Sequence, residues 1–138
     1  MSRILLDTGP LVAIYSRNQV EHEACVEQLR DLDSPLLTCW PVITEAAWLM
    51  RRFPSGLQHL LRDIESGIFH PLSLEPDAVP WIAAFLRRYR DLPADLADAA
   101  LMYLAERENI DTIFTLDRRD FSVYRLRGNR SARLLPRA

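Results

Sequence analysis

Four carboxylates stand at positions where their charge is expensive unless something uses it: Asp7, Glu45, Asp98 and Asp117. Asp7 closes the apolar run Ile4-Leu5-Leu6, and Asp117 follows Thr115-Leu116 at the end of another apolar run. Asp98 is the sharpest case. At about 100° per residue, Ala97, Leu101, Leu104 and Ala105 define the apolar face of a helix, and Asp98 falls inside that arc. A carboxylate on a core-facing stripe must be paired, hydrogen-bonded or bound to a cation. Glu45 flanks the arc formed by Val42, Ala46, Leu49 and Phe53, a softer signal. Carboxylates gathered in one place repel one another and must take up protons or share cations. No His or Cys accompanies them, because His22, His59 and His70 fall elsewhere. An all-oxygen donor set selects Mg²⁺ or Mn²⁺ over zinc. Such an ion suits phosphate chemistry, activating a water and offsetting charge on the attacking and leaving oxygens. Each acid also has an ordinary structural explanation. Asp7 before Thr-Gly-Pro caps a turn, Asp117 caps the turn before Phe121, and Glu45 is a solvated helix acid. Asp95 reads as the N-cap of the helix that holds Asp98.

The elements that must position these residues alternate between strand and helix. Arg3 to Asp7 reads as a short buried strand, broken by Thr8-Gly9-Pro10, and a helical stretch begins at Leu11. Val20 to Leu32 has helical spacing, and Leu36 to Cys39 reads as a second strand. Trp40-Pro41 opens a helix that runs to about Phe53, where Pro54-Ser55-Gly56 stops it. Leu57–Ser66 is the next helix, Ile68–Leu74 the third strand, and Asp77–Arg90 and Leu96–Glu108 two further helices. Asp111–Thr115 is the fourth strand and Ala132–Leu135 a fifth. This order predicts an α/β fold, a three-layer α/β/α sandwich around a mostly parallel sheet of four or five strands. In such sheets ligands sit at the carboxyl ends of the strands, which is the rim shared by all four acids.

With 138 residues, 49% apolar and 26% charged, the chain is expected to form a single domain over residues 1–138. No run approaches the ~18 apolar residues of a membrane span, and the N-terminal run turns acidic too soon for a secretory signal. Cys25 and Cys39 have no metal-ligand spacing; they read as core residues of a cytoplasmic protein. Four isolated glycines make no phosphate loop. All 17 basic residues are Arg. From Arg118 onward the chain carries seven of them and one acid, a net +6 against −8 before it. That segment is either a phosphate-binding surface or a solvated tail. Arg87-Arg88-Tyr89-Arg90 reads as a solvated helix end, and Trp48 and Trp81 as packing residues. Trp40 reads as a packing residue too, with base stacking as the alternative.

Four segments together resemble a known family. Ile4-Leu5-Leu6-Asp7-Thr8-Gly9-Pro10-Leu11-Val12-Ala13, Val42-Ile43-Thr44-Glu45-Ala46, Asp95-Leu96-Ala97-Asp98-Ala99-Ala100-Leu101 and Thr115-Leu116-Asp117-Arg118-Arg119-Asp120-Phe121 resemble, in order and interval, the acidic motifs of PIN-domain proteins. The short form is similar to the VapC-type toxins. The resemblance implies a metal-dependent endoribonuclease that cuts RNA phosphodiester bonds, with Mg²⁺ or Mn²⁺ as cofactor, a cognate antitoxin, and assembly as a homodimer. Carried over by position, Asp7, Glu45, Asp98 and Asp117 form the catalytic, metal-binding cluster, with Asp7 and Asp98 its firmest ligands. Thr8 and Thr115 would orient a ligand or water, and Asp95 and Asp120 would be outer members. Two other readings remain. One is a non-catalytic binding module whose acids are structural caps. The other, disfavoured, is a haloacid-dehalogenase-like phosphatase, which needs a second acid where this chain has Gly9 and a Lys where it has none.

Overall fold

The computed structural model describes residues 3–137. In chain order the elements are β1 (Leu5–Leu6), α1 (Thr8–Tyr15), α2 (His22–Arg30), β2 (Leu36–Thr38), α3 (Trp40–Leu49), α4 (Pro54–Glu65) and β3 (Phe69–Pro71). A 3₁₀ turn at Pro76–Ala78 leads into α5 (Val79–Arg88). There follow α6 (Leu96–Arg107), β4 (Thr112–Phe114), α7 (Arg118–Val123), β5 (Arg125–Leu126), β6 (Arg130–Ser131) and β7 (Arg133–Leu135). The sheet order is β3-β2-β1-β4-β7 and every pairing in it is parallel. β5 and β6 form a separate antiparallel ribbon.

Successive strand residues face opposite sides of a sheet. In β1, β2 and β4 every residue is buried, so both faces of the sheet are covered by helices, as the α/β reading requires. The core runs through all layers, from Leu5, Leu6 and Phe114 to Leu11, Met50, Leu60, Leu101 and Phe121. α6 is buried nearly all round, from Ala97 to Ala105, which makes it the central helix against the sheet. Cys25 and Cys39 are buried free thiols.

Four elements differ from the expectation. Pro54 does not stop α3; it starts α4, because a first-turn proline lacks only an N–H that has no helical partner there anyway. α1 begins at Thr8 rather than Leu11, again with Pro10 in the first turn. α7 was not anticipated: six residues are too few to show a period. The third strand is also shorter than the apolar run that suggested it.

The strand order explains where a site belongs. From central β1 the chain moves outward to β2 and β3, then returns to the other side of β1 for β4 and β7. The connections after β1 and β4 therefore diverge, leaving a crevice at their carboxyl ends. Gly9 lets this crevice close at its base. A Cβ there would lie 3.3 Å from Cβ of Leu116, so a larger residue would push α1 and the segment after β4 apart by a few tenths of an ångström.

Candidate functional site

Asp7 is the first residue beyond β1, and its N–H continues the ladder by donating to the Phe114 carbonyl at 2.9 Å. Thr115 does the same beyond β4, donating to the Leu135 carbonyl at 2.8 Å. The two residues thus meet side by side. The buried Thr115 hydroxyl donates to Oδ2 of Asp7 at 2.8 Å and accepts from the Asp117 N–H at 3.0 Å. One hydroxyl therefore ties the acid of the first segment to the backbone of the last.

α6 delivers the third acid. Asp95 is its N-cap, and Oδ1 accepts from the Asp98 N–H at 2.8 Å. That places Asp98 one turn into the helix on its core side, only 8% exposed. Its Oδ2 accepts from the hydroxyl of the fully buried Tyr124 at 2.7 Å. Asp117 caps α7 through Oδ1, which accepts from the Asp120 N–H at 3.1 Å. As a result Asp98, Asp117 and Asp120 each offer a carboxylate oxygen within 4.8 Å of the others.

All of this opens into a shallow cleft of about 400 Å³ lined by Asp7, Thr8, Glu45, Asp95, Asp98, Asp117 and Asp120, with Gly9, Leu49, Pro93 and Leu116 between them. Among the described residues no basic side chain lines it. Roomier hollows of about 640 and 790 Å³ lie along the β7 edge and beneath the β5–β6 ribbon, but neither contains any of these acids. The chemistry, not the volume, selects the smaller one.

Burial without a counter-charge raises the proton affinity of these groups. Asp7 is pushed up to about 6, chiefly by desolvation; the Thr115 hydroxyl and Thr8 amide oppose this, and Glu45 and Asp95 add to it. Asp98 is pushed up to about 8, again chiefly by desolvation, with Tyr124 opposing and Asp7 and Asp95 reinforcing. Asp120 also rises, through burial and then Asp117, with Arg119 acting against it. The Thr8 hydroxyl oxygen is buried at this cleft and has no protein hydrogen-bond partner among the described residues.

The cleft therefore brings together Asp7, Glu45, Asp98 and Asp117 from four separate segments, with Thr8, Asp95 and Asp120 beside them and Thr115 behind. Asp120, read from sequence as an outer member, sits in the tightest carboxylate group, whereas Asp7 is held back against Thr115. Tyr124 was missed. A tyrosine three residues after Phe121 looks like core, and nothing in the sequence shows that its hydroxyl meets an acid 26 residues away.

Beside the cleft lies an apolar groove of about 550 Å³, lined by Trp40, Pro41, Thr44, Trp48, Leu96 and Ala97, with Glu45 and Asp95 shared with the acid cleft. Trp40 is 54% and Trp48 63% exposed, and Leu49 and Leu96 are exposed as well. Trp40, Trp48 and Leu49 are therefore not the packing residues the sequence suggested: the core side of α3 is Val42, Ile43 and Ala46. Trp81 does pack, stacked on Phe85 at 5.5 Å with its N–H donated to Glu106 at 3.2 Å. The arginine-rich end is partly structural. Arg118, Arg125 and Arg130 donate to the carbonyls of Pro136, Ser122 and Arg127.

An open parallel sheet with carboxylates from four segments converging at its switch point defines an acidic-site α/β fold, and the sequence places it: residues 4–126 match the PIN domain, and the chain belongs to that family. Over 135 residues it is 27% identical to ribonuclease VapC26 of Mycobacterium tuberculosis, an alignment covering 96% of this chain and 100% of that relative. The fold is similar to the crystal structure of Mycobacterium tuberculosis VapC20, described as a sarcin-ricin loop cleaving toxin. The TM-score is 0.73 at 16% identity over 80% of this chain and 86% of that one. It is also similar to a chain of a toxin–antitoxin complex from Klebsiella pneumoniae, with a TM-score of 0.68 at 16% identity, covering 87% and 91% of the two chains.

Proposed function

We propose that this chain is a divalent-metal-dependent endoribonuclease of the VapC type, the toxin of a toxin–antitoxin pair, working as one folded unit in the cytoplasm. The observation that carries this reading is the pair of buried carboxylates, Asp7 and Asp98, held in one open cleft that no cationic side chain lines among the described residues. Capping explains Asp95 and Asp117. It does not explain Asp7, whose side chain makes no cap hydrogen bond to α1, or Asp98, which lies inside a helix rather than at its cap. A non-catalytic module thus leaves the two most costly charges without a purpose.

The donor set fits a hard cation. Every candidate ligand is an oxygen, and the partnerless Thr8 hydroxyl lies among them. Asp98, Asp117 and Asp120 would hold Mg²⁺ or Mn²⁺, with Asp7 and Glu45 completing the acidic wall. When bound, a divalent ion supplies Lewis acidity that offsets phosphodiester charge and makes water a better nucleophile. The chain's own residues set the stage for this. Thr115 orients Asp7, the Asp95 cap holds the first turn of α6 that carries Asp98, and the Asp117 cap orients α7. The shallow, open cleft admits a polymer backbone instead of enclosing a small molecule. Partners are an RNA substrate, a cognate antitoxin and a second copy of the chain. The apolar face beside the cleft supports the last of these, because three exposed large side chains, Trp40, Trp48 and Leu96, on one patch are typical of a covered surface.

The test is direct. Purified protein with structured RNA is expected to cleave in Mg²⁺ or Mn²⁺, to stop with a chelator, and to lose at least about 100-fold in rate as Asp98→Asn. Cleavage that survives both changes refutes the carboxylate–metal mechanism.

A further inference from the structure

Tyr124 has no assigned part in this site, yet its surroundings fix it from several directions. Its ring is fully buried and packs edge-on against Phe85 at 4.9 Å, Tyr89 at 4.9 Å and Phe121 at 5.0 Å. The backbone on either side is tied down too. The Arg125 N–H donates to the Tyr89 hydroxyl at 3.0 Å, and the Arg125 guanidinium donates to the carbonyls of Ser122, Val123 and Tyr124 at 2.6, 3.1 and 3.2 Å. The hydroxyl that this packing aims into the site meets one atom, Oδ2 of Asp98, at 2.7 Å.

We propose that Tyr124 is a positioning residue for the metal centre: its hydroxyl holds Oδ2 of Asp98 and leaves the other carboxylate oxygen to face a divalent cation in the cleft. This inference rests on the reading of the cleft as a metal site. A carboxylate with both oxygens free rotates and binds in one-oxygen or two-oxygen fashion. Mg²⁺ tolerates little departure from octahedral geometry and takes few carboxylates, so fixing one oxygen selects the single-oxygen mode. Partners behind a ligand commonly change metal affinity by roughly 10–100-fold. The ring cluster extends this control to α5. Phe85 lies on α5 and Tyr89 ends it, so a helix that contributes nothing to the cleft lining determines how Asp98 is presented.

Tyr124→Phe keeps the ring and its packing and removes only the hydroxyl. Mn²⁺ binding is measured by electron paramagnetic resonance of the free ion, without RNA, alongside the Mg²⁺ dependence of cleavage. Mn²⁺ affinity is expected to fall by roughly 10–100-fold, with cleavage recovering toward the wild-type rate at saturating metal. A merely structural hydroxyl would lower the melting temperature and leave metal affinity alone; that result overturns the proposal. Asp98→Asn separates the two layers of argument. If it binds Mn²⁺ as tightly as wild type, the metal site itself is wrong. If it loses binding while Tyr124→Phe does not, only the role of Tyr124 is wrong. Should Tyr124→Phe fail to fold, the hydroxyl proton of Tyr124 in the wild-type protein is followed by NMR. Its resonance is expected to move on Mg²⁺ addition, and an unmoved resonance overturns the proposal.

Discussion

Asp7 and Asp98 each sit in the folded chain with a proton affinity above that of an unfolded aspartate, about 6 and about 8 against 3.8. Between these values and the ordinary one, the folded state binds more protons than the unfolded state, so unfolding free energy falls as pH rises. The stability these groups permit is fully present below about pH 4 and is lost as pH climbs through 6 and then 8. Other carboxylates pull the opposite way at the acid end, so the expected signature is confined to the range from pH 5 to 8. In chelator, the melting temperature is predicted to decline across that range, and Mg²⁺ is predicted to remove most of the decline. Asp98→Asn takes away the charge but keeps an acceptor for the Tyr124 hydroxyl. At pH 8 without metal it should melt about 2–5 °C above wild type, while abolishing cleavage. A melting temperature that is flat from pH 5 to 8, or a lower one for Asp98→Asn, would refute the crowded-carboxylate account. The same conflict of charge with burial made Asp98 legible in the sequence: an acid on an apolar stripe needs a reason. Tyr124 created no such conflict, since a tyrosine is at home in a core, and Asp120, on a helix too short to show a period, was placed only as an outer member and only by resemblance.

The helices hold the acids by their ends. α6 and α7 both begin with an aspartate that caps the N–H of another aspartate three residues on. At each terminus a capping carboxylate therefore stands beside a carboxylate of the cleft. Asp95 stabilises α6 as a cap while raising the proton affinity of Asp98 by repulsion. Serine caps about as well as aspartate and carries no charge, whereas alanine is equally uncharged but cannot cap. Asp95→Ser is predicted to melt at or slightly above wild type. Asp95→Ala is predicted to fall about 1 kcal/mol below the serine variant, roughly 2–6 °C, in thermal unfolding at pH 7. Equal melting of the two would show that the cap contributes nothing. At this scale the sequence was readable wherever an element was long enough to show a period or was marked by a cap, as at Asp95-Leu96-Ala97-Asp98. It misled at Pro54, where the same residue type can end one helix or begin the next, and it was silent on α7 and the β5–β6 ribbon, too short to have a pattern. The burial of Trp48 and Leu49 was misjudged for a different reason. Helical spacing identifies an apolar stripe but not whether this chain or another covers it.

That last ambiguity belongs to the whole molecule. Trp40, Trp48 and Leu96 form one exposed apolar surface, and Glu45 and Asp95 are common to its groove and to the acid cleft. The rim of the surface carries both signs, because the Arg51 guanidinium lies 3.9 Å over the Trp48 ring. A patch that is apolar in the middle and has acid and base at its edge can pair with a copy of itself across a two-fold axis. The proposed homodimer would then place the two acid clefts on either side of one seam, lining a longer groove than either chain offers alone. A charge at Trp48 should be harmless on an exposed helix and damaging inside such a seam. Light scattering during gel filtration is predicted to give wild-type protein near twice the chain mass of 15.9 kDa at tens of micromolar, and Trp48→Asp near the single mass. Because the seam adjoins the cleft instead of forming it, the monomeric variant should still bind Mn²⁺ as wild type does. Its loss should instead appear as a higher KM for RNA long enough to reach both clefts, with little change for a short oligonucleotide. A wild-type chain that remains monomeric at 100 µM, or a Trp48→Asp variant that stays dimeric, would mean that some other partner covers this face.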